Sequence, residues 1–267
     1  RGARPISGDG AFSWAPGSEL DRLAAGATEA VSFSYNVSDG TATTQQTVTV
    51  TVTGTNDAPV PTTAAISAPE DGTVTSGNLA GTDVDSSNLT FALVGAPAVG
   101  TLAINADGSY TYDAGTAFQD LNARASVDLS FVYSVSDGTA TVTRTAALTV
   151  TGVNDAPTNF HLNTNYTDGD ATNDETVTVD RVVQAGTVVG RVQNIVDADL
   201  GDTHTVQLTG DGGGRFALDT ATGEIVVASG ATFPADSYAI TVQVTDGAGA
   251  SFAKNFTVDV NNVINGN

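Results

Sequence analysis

A strand-like stretch occurs twice in this chain, and the second copy lies 98 residues after the first. The first copy reads SDGTATTQQTVTVTVTGTNDAPV (Ser38–Val60), and the second reads SDGTATVTRTAALTVTGVNDAPT (Ser136–Thr158). Between positions 35 and 59, 17 of 25 residues are identical at this offset without a gap. A fixed period indicates tandem units, and a period this long is a whole domain rather than one turn of a solenoid.

Residues within the copies alternate as they do in half-buried β-strands. TVTVTVT (Thr47–Thr53) alternates polar and branched apolar residues, and SFSYNV (Ser32–Val37) and LSFVYSV (Leu129–Val135) alternate with aromatic residues. Asp-Gly pairs at positions 39–40 and 137–138 separate these runs, and both residue types tolerate the positive φ of tight turns. We therefore predict an all-β chain of tandem Ig-like antiparallel β-sandwich domains.

The repeat offset predicts three segments. Residues 1–58 form the C-terminal half of one repeat, because Ile6 lies opposite Ile104, well past the middle of the next repeat. Residues 59–156 form a complete second repeat, and residues 157–267 form a third, more divergent one. The leading strands of the first repeat are expected to be absent, so we interpret the chain as a piece of a longer protein.

The charge of the chain limits its partners. Acidic residues outnumber basic ones by 30 to 9, for a net charge of -21, which disfavours nucleic acid and anionic membranes and attracts cations. Cysteine is absent, so disulfides and thiolate metal sites are excluded. No apolar run approaches the ~20 residues that a membrane-spanning helix needs.

Several acidic residues recur at the ends of the predicted strands. Asp83 and Asp85 stand two residues apart, and Asp197, Asp199 and Asp202 form a similar group. In a bend, neighbouring carboxylates can face one ion, and calcium takes about six to eight hard oxygen ligands. Together with the Asn-Asp pairs before Pro59 and Pro157, these residues indicate calcium binding. The alternative for each Asn-Asp-Ala-Pro ending is a rigid turn without metal.

The third repeat resembles a bacterial cadherin repeat. The resemblance lies in three stretches in a fixed order: AGTVVGRVQNIVDADLGDTHTVQL, GGGRFALDTATGEIVV and YAITVQVTDGAG. The first two repeats resemble the VCBS and cadherin-like repeats of giant calcium-dependent bacterial surface adhesins of the RTX-adhesin type, through LAAGATEAVSFSYNVSDG and the GTNDAP ending. The sandwiches are accordingly expected to be cadherin-like.

The resemblance implies calcium ions shared by neighbouring repeats, with ligands at matching positions of this sequence. At the first junction these positions are Asn56, Asp57, Asp83, Asp85 and Asp137, with Glu29 as a further contributor. At the second junction they are Glu70, Asn154, Asp155, Asp197, Asp199, Asp202 and Asp246, with Asp120 or Asp128 assisting.

Departures from the family pattern reduce the expected number of ions. Gly54 and Gly152 stand where animal cadherin linkers carry their first acid, and Ala58 and Ala156 replace the last amide, so we expect one or two ions per junction.

The C-terminal end of the third repeat is expected to be poor in ligands. Arg181 replaces the usual glutamate, FPAD (Phe233–Asp236) replaces an acidic stretch, and the closing motif is NVINGN, at positions 262–267. The acidic loop at Asp168–Glu175 lacks the central glycine and final glutamate of an EF-hand, which favours a solvated loop.

No catalytic motif stands out, so an enzyme is not expected. The sequence predicts an extracellular, non-catalytic extender segment of a bacterial adhesin, stiffened by calcium and serving cell-surface adhesion or biofilm formation. One alternative is a subunit of an extracellular filament or sheath, in which a strand from another copy completes the first repeat. A second alternative is a ligand-binding module in the third repeat. The expected partners are calcium and, through strand donation, other copies of the chain. Binding to nucleic acid and insertion into a membrane are not expected.

Overall fold

The computed structural model of the chain describes residues 2–3, 7–72, 74–163 and 176–261. The acidic loop at 168–175 and the closing motif at 262–267 lie outside these ranges. The chain divides into two units, which we call the N-terminal unit (residues 1–117 and 127–150) and the C-terminal unit (residues 118–126 and 151–267). Among the described residues, no helix has the length and apolar character needed to cross a membrane.

The described part of the N-terminal unit consists of β-strands and a 3₁₀ turn at Ser18–Leu20. Its strands are β1 (Gly2–Ala3), β2 (Trp14–Ala15), β3 (Thr28–Ser38), β4 (Thr43–Thr53), β5 (Val60–Pro61), β6 (Ala65–Pro69), β7 (Thr75–Asn78), β8 (Gly81–Thr82), β9 (Thr90–Gly95), β10 (Thr101–Ile104), β11 (Ser109–Asp113), β12 (Ser126–Ser136) and β13 (Thr141–Thr151).

Two sheets of the second repeat supply the buried core of this unit. One sheet has the order β6-β13-β12-β9 and the other has the order β10-β11-β7. Alternate residues point inward, as the period-2 pattern predicts, and the core includes Phe131 and Tyr133 from one sheet and Tyr112 from the other. The two buried phenols are satisfied, because Tyr133 donates to the Thr62 carbonyl (2.6 Å) and Tyr112 donates to the Val99 carbonyl (3.1 Å).

The first repeat contributes the two-stranded β3–β4 hairpin, whose apolar face is only partly covered. Phe33 pairs with Val48 across the hairpin, and Phe12 packs edge-on against Phe33 with ring centroids 5.3 Å apart. No described residue from 7 to 58 is fully buried. The equivalent hairpin β12–β13 is flanked by β6 and β9, and there Phe131 is 1% exposed. The hairpin sequence is thus shared, whereas the strands that cover it are found only in the second repeat of the described chain.

The C-terminal unit contains two four-stranded sheets, ordered β14-β16-β19-β18 and β15-β21-β20-β17. All pairs with a resolved register are antiparallel except β15 with β21, which is parallel. The core between them is rich in aromatic and branched residues, including Phe160, Ile225 and Phe256. The strands are β14 (Asn159–Asn163), β15 (Thr176–Asp180), β16 (Val188–Val196), β17 (Thr205–Asp211), β18 (Phe216–Asp219), β19 (Glu224–Val227), β20 (Ser237–Thr245) and β21 (Ser251–Asn261).

The prediction of tandem all-β sandwiches is confirmed. The Asp-Gly turns differ in detail from the tightest hairpins, because four residues, rather than two, separate β3 from β4 and β12 from β13. Gly40 and Gly138 have φ of 92° and 94°, a left-handed conformation that glycine adopts without strain. The aspartate before each glycine accepts two backbone N–H groups of its own turn, so it fixes the loop.

Candidate metal centres

The first acidic cluster comprises Asn56, Asp57, Asp83, Asp85 and Asp137, all in the N-terminal unit. Asn56 and Asp57 lie in the extended segment after β4, Asp83 and Asp85 lie in the bend after β8, and Asp137 opens the turn between β12 and β13. Residues far apart in sequence are therefore brought together by strand ends.

Hydrogen bonds connect the members of the first cluster. Asn56 Nδ2 donates to Asp137 Oδ2 (2.9 Å), and the Asp57 N–H donates to Asp85 Oδ2 (3.1 Å). The N–H groups of Asp85 and Ser86 both donate to Asp83 Oδ1 (3.0 and 3.1 Å). One oxygen each of Asp83 and Asp85 is thus held by protein donors, which orients the other oxygen.

The second carboxylate oxygen of each aspartate in this bend lacks a hydrogen-bond donor among the described residues. Asp83 Oδ2 and Asp85 Oδ1 are buried and have no hydrogen-bond partner among the described residues. The Asp57 N–H lowers the pKa of Asp85, but the hydrogen-bonded Asp83 side chain, burial, and the charges of Asp83 and Asp57 outweigh it, so the pKa lies above its ordinary value. A nearby cation would relieve this crowding of negative charge.

The second acidic cluster comprises Asn154, Asp155, Asp197, Asp199, Asp202 and Asp246, all in the C-terminal unit. Its hydrogen bonds repeat those of the first. Asn154 Nδ2 donates to Asp246 Oδ2 (2.8 Å), and the Asp155 N–H donates to Asp199 Oδ2 (3.0 Å). The Asp199 N–H donates to Asp197 Oδ1 (3.1 Å), as Asp85 does to Asp83.

Carboxylates are more concentrated in the second cluster. Oxygens of Asp197, Asp202 and Asp246 all lie within 4.8 Å of one another. Asp199 is 3% exposed, and its Oδ1 has no hydrogen-bond partner in the described part of the chain. Burial raises the pKa of Asp199, and the charges of Asp155, Asp197 and Asp202 add to this, although the Asp155 N–H opposes it. The cluster therefore brings several negative groups close together.

The pKa values of the turn aspartates, Asp246 and Asp137, shift downward instead. Three backbone N–H groups, from Ala248, Gly249 and Ala250, donate to Asp246 Oδ1. Burial by itself would raise the pKa of Asp246, but Asn154 and these N–H groups stabilise the charged form, so the pKa lies below its ordinary value. Backbone N–H groups and Asn56 similarly lower the pKa of Asp137. These two carboxylates are ionised anchors of their clusters.

His204 is a member of the second cluster that the sequence did not predict. Its Nε2 lies 2.7 Å from Asp197 Oδ2, and the ring is mostly buried. The only sequence signal was its place two residues after Asp202 in the DADLGDTH stretch. The hydrogen bond between His204 and Asp197 orients the Asp197 carboxylate, as a neighbouring side chain commonly does for a metal-binding residue.

The linker glycines have a structural reason to be glycine. A Cβ on Gly54 would lie 2.1 Å from the Leu23 carbonyl oxygen, and one on Gly152 would lie 2.1 Å from the Asn122 carbonyl oxygen. No side chain fits at this distance. The missing first acid of each linker therefore reflects close passage of a neighbouring backbone.

The remaining predicted contributors are Glu70, Glu29, Asp128 and Asp120. Glu70 directly follows β6 and is 1% exposed. Glu29 forms an ion pair with Arg22 (2.5 Å), and Asp128 accepts a hydrogen bond from Thr149 (2.8 Å). The Asp120 backbone carbonyl accepts the Leu200 N–H (3.2 Å) within the C-terminal unit.

Both clusters suit a hard divalent cation. The atoms that could coordinate a cation are carboxylate oxygens and the amide oxygens of Asn56 and Asn154, whose amide nitrogens already donate hydrogen bonds. Calcium prefers such oxygens and tolerates irregular geometry. The buried, unpartnered oxygens of Asp83, Asp85 and Asp199 are the observation that favours an ion, because such oxygens are costly unless they are paired.

Part of the chain matches a known protein family. Residues 56–155, fewer than half of the chain, match the family model of the bacterial cadherin-like domain. No curated protein matches the chain significantly.

Solved cadherin structures have the same fold. Human protocadherin-24 EC1–2 aligns with a TM-score of 0.53 at 21% identity, over 78% of this chain and 100% of that one. Drosophila N-cadherin EC1–4 aligns with a TM-score of 0.55 at 18% identity, over 82% of this chain and 54% of that one. PcdhgB3 EC1–4 aligns with a TM-score of 0.57 at 16% identity, over 97% and 63%. The chain thus spans little more than half of the longer fragments. The similarities support cadherin-like repeats as its architecture.

Proposed function

We propose that this chain is a calcium-stiffened extender segment of an extracellular bacterial adhesin, of the RTX-adhesin type with VCBS-like repeats. The observation that carries the proposal is the recurrence of one hydrogen-bonded set of oxygens at both Asn-Asp-Ala-Pro linkers, with buried carboxylate oxygens that lack partners. The role is mechanical rather than catalytic. The proposed organisation keeps the three segments 1–58, 59–156 and 157–267.

The proposed mechanism begins with repulsion between carboxylates. In the first cluster, Asp57 belongs to the linker, whereas Asp83 and Asp85 belong to the body of the second repeat. Without a cation, their charges repel across a few ångströms. A bound calcium ion would turn this repulsion into shared coordination and restrict the linker. In the second cluster, Asp155 is the linker residue and Asp197 and Asp199 are its counterparts, and the family resemblance adds Glu70 as a further ligand.

A calcium affinity in the range typical of extracellular modules would be enough to stiffen the linkers. Such calcium sites have Kd values of about 10⁻⁴–10⁻³ M. Calcium at about 100 times Kd would add about 2.7 kcal/mol of stability per site. An adhesin outside the cell would then be stiff when calcium is plentiful and would loosen when calcium is removed.

Small-angle X-ray scattering and thermal unfolding of the same samples test this function. We expect calcium to lengthen the particle and to raise Tm relative to EDTA. Asp83→Ala with Asp85→Ala should lose part of the lengthening while both units stay folded. Asp9→Ala, in an exposed turn of the first repeat that accepts only local hydrogen bonds, is the matched control. Identical scattering with calcium and EDTA would exclude the extender.

The β3–β4 hairpin supports a second candidate function, a filament subunit completed by strand donation. Its half-buried face carries Val31, Phe33 and Val50, and burying such a face is worth about 25 cal/mol per Å². A two-stranded hairpin is marginal by itself. Under this proposal another copy of the chain supplies the covering strand. Sedimentation velocity over a range of concentrations tests it, since a monomer at all concentrations would exclude it.

The third candidate, a ligand-binding module in the third repeat, has less support. A polar cavity of about 240 Å³ lies in the C-terminal unit, and its described lining contains no aromatic side chain. Its lining includes Asp202 and Asn154, which already belong to the second acidic cluster.

A further inference from the structure

A basic residue occupies the same position on the last strand of the second and third repeats. Arg144 is the fourth residue of β13, and Lys254 is the fourth residue of β21. The chain has nine basic residues against 30 acidic ones, so composition alone does not account for this recurrence. In the first repeat, the fourth residue of β4 is the neutral Gln46.

Arg144 holds the segment that enters the second repeat. We call residues 60–63 the entry segment of this repeat, because they directly follow the Asn-Asp-Ala-Pro linker at positions 56–59. Arg144 Nη1 donates to the Pro61 carbonyl oxygen (3.3 Å), and Nη2 donates to Thr63 Oγ1 (2.5 Å). Both arms of the guanidinium thus reach from the last strand to the entry segment. Hydrogen bonds from a charged donor are stronger than neutral ones.

Lys254 makes the corresponding connection in the third repeat. The entry segment of this repeat is residues 158–160, which follow the linker at positions 154–157. Lys254 Nζ donates to Asn159 Oδ1 (3.3 Å) and to the Phe160 carbonyl oxygen (3.4 Å). Its Nζ also lies 5.6 Å from the centre of the Phe256 ring. Two repeats therefore use different cations for one connection between the entry segment and the last strand.

The entry segments have a second attachment, to the strand that leads into each Asp-x-Asp bend. In the second repeat, Val60 pairs with Thr82, the residue before the bend. In the third repeat, the Thr158 N–H donates to the Val196 carbonyl oxygen (2.8 Å), and Val196 is likewise the residue before the bend. The cation therefore adds the last strand to a segment that is already tied to the bend.

Each entry segment and its last strand run in the same direction. In the second repeat, Arg144 contacts residues 61 and 63, and further along β13 the Ala147 N–H donates to the Ala64 carbonyl oxygen (3.3 Å). In the third repeat, β15 pairs with β21 in parallel beyond Lys254. Tension along the chain pulls the entry segment toward the preceding linker and the last strand toward its own C-terminal end. These contacts are therefore sheared, and of them the cation makes the one nearest the linker.

We propose that Arg144 and Lys254 are force-bearing anchors, which fasten each entry segment to the last strand of its repeat when the chain is under tension. The inference rests on the proposed extender role, because an extender transmits tension between its ends. It uses no residue of the two acidic clusters. Gln46 supplies an internal control position, because the 98-residue offset places the matching entry segment before residue 1.

Single-molecule unfolding of the full chain at constant tension, in EDTA, tests the proposal. We expect one slow unfolding step for each of the second and third repeats. Arg144→Gln should shorten the lifetime of one step about tenfold, which corresponds to about 1.4 kcal/mol of the barrier. Lys254→Gln should shorten the lifetime of the other step by about threefold, since its hydrogen bonds are longer and weaker. Gln46→Arg should leave both lifetimes unchanged.

Two further measurements separate an anchor from an ordinary stabilising contact and from a folding defect. Urea unfolding rates without tension should change less than the rates under tension, because only tension shears the entry segment against the last strand. Thr63→Val keeps Arg144 and removes one of its acceptors at an exposed position. This variant should shorten the same step by a smaller factor, and it replaces Arg144→Gln if that variant folds poorly.

Unchanged lifetimes in the glutamine variants or in Thr63→Val, or equal acceleration in urea and under tension, would overturn the proposal. Such a failure would leave calcium-dependent lengthening of the chain unaffected. Conversely, a failure of calcium to lengthen the chain would leave the lifetimes in EDTA unaffected. The two failures are therefore distinguishable.

Discussion

The two acidic clusters are built on one hydrogen-bond scaffold, yet they differ in burial and in the number of carboxylates. In both, a linker asparagine donates to a turn aspartate, and the next linker N–H donates to the second aspartate of an Asp-x-Asp bend. Asp199 and Asp246 are buried, whereas their counterparts Asp85 and Asp137 are half-exposed.

The second cluster also has an added acid. Asp202 lies three residues before β17, whereas Ser87 lies three residues before β9. The repeat thus determines the scaffold, while single residues on the loop determine how much negative charge it holds. We expect both clusters to bind calcium, and the second to bind it more tightly.

The largest effect should come from removing the Asp-x-Asp carboxylates of one cluster at a time. Asp197→Ala with Asp199→Ala should abolish the tighter class of calcium sites, and Asp83→Ala with Asp85→Ala should abolish the weaker class. At calcium about 100 times Kd, each pair should cost about 2.7 kcal/mol of calcium-dependent stability. Calorimetric titration of the two double variants measures this, and equal loss of both classes in either variant would contradict separate sites.

A smaller change should make the two clusters more alike. Asp202→Ser removes the added acid, and we expect the calcium affinity of the second cluster to fall roughly tenfold, or about 1.4 kcal/mol. The reciprocal Ser87→Asp should strengthen the first cluster by less, since the loop before β9 is shorter than the loop before β17. If Asp202→Ser leaves the affinity unchanged, burial rather than carboxylate number distinguishes the clusters.

The pH dependence without calcium should reveal the crowded carboxylates. The folded-state pKa of Asp199 is raised above 3.8, so the folded state binds a proton more tightly than the unfolded state. Stability in EDTA should therefore rise as pH falls from neutral toward 3.8. The pKa of Asp246 is lowered below 3.8, so its contribution is present above that pH and is lost as pH falls through the folded value.

Calcium should reverse the first of these trends, because protons and calcium compete for the same carboxylates. Asp85 and Asp137 have pKa shifts of the same directions, so the first cluster should follow the same pattern. Urea unfolding at a series of pH values, with calcium and with EDTA, measures both trends. A calcium-free stability that falls steadily from neutral pH would show that the carboxylates do not repel one another.

The smallest effect should come from the linker asparagines. Asn56→Ala and Asn154→Ala each remove hydrogen bonds that need no metal, and each should cost about 1 kcal/mol. The cost should be similar in calcium and in EDTA if the asparagines act mainly as tethers. Chemical denaturation in both buffers separates this from direct coordination, which would make the cost larger in calcium.

Much of this arrangement could be predicted from sequence, because it depends on the repeat. The offset of 98 residues aligned the strands and turns of the first two repeats, and the Asp-x-Asp spacing identified Asp83 and Asp197. His204 was not predicted, since its contact with Asp197 depends on the path of the loop before β17, where the equivalent position of the second repeat carries Leu89. The reason for Gly54 was also hidden, because the neighbouring backbone comes from Leu23, about 30 residues earlier.

Crystals of the full chain grown in calcium, with anomalous difference density recorded at a long X-ray wavelength, test the central claim most directly. The account predicts a peak among the carboxylates of Asp197, Asp202 and Asp246, and a second, weaker peak beside Asp83 and Asp85. Both peaks should vanish after a soak in EDTA. Saturating calcium with no anomalous peak at either cluster would contradict the account.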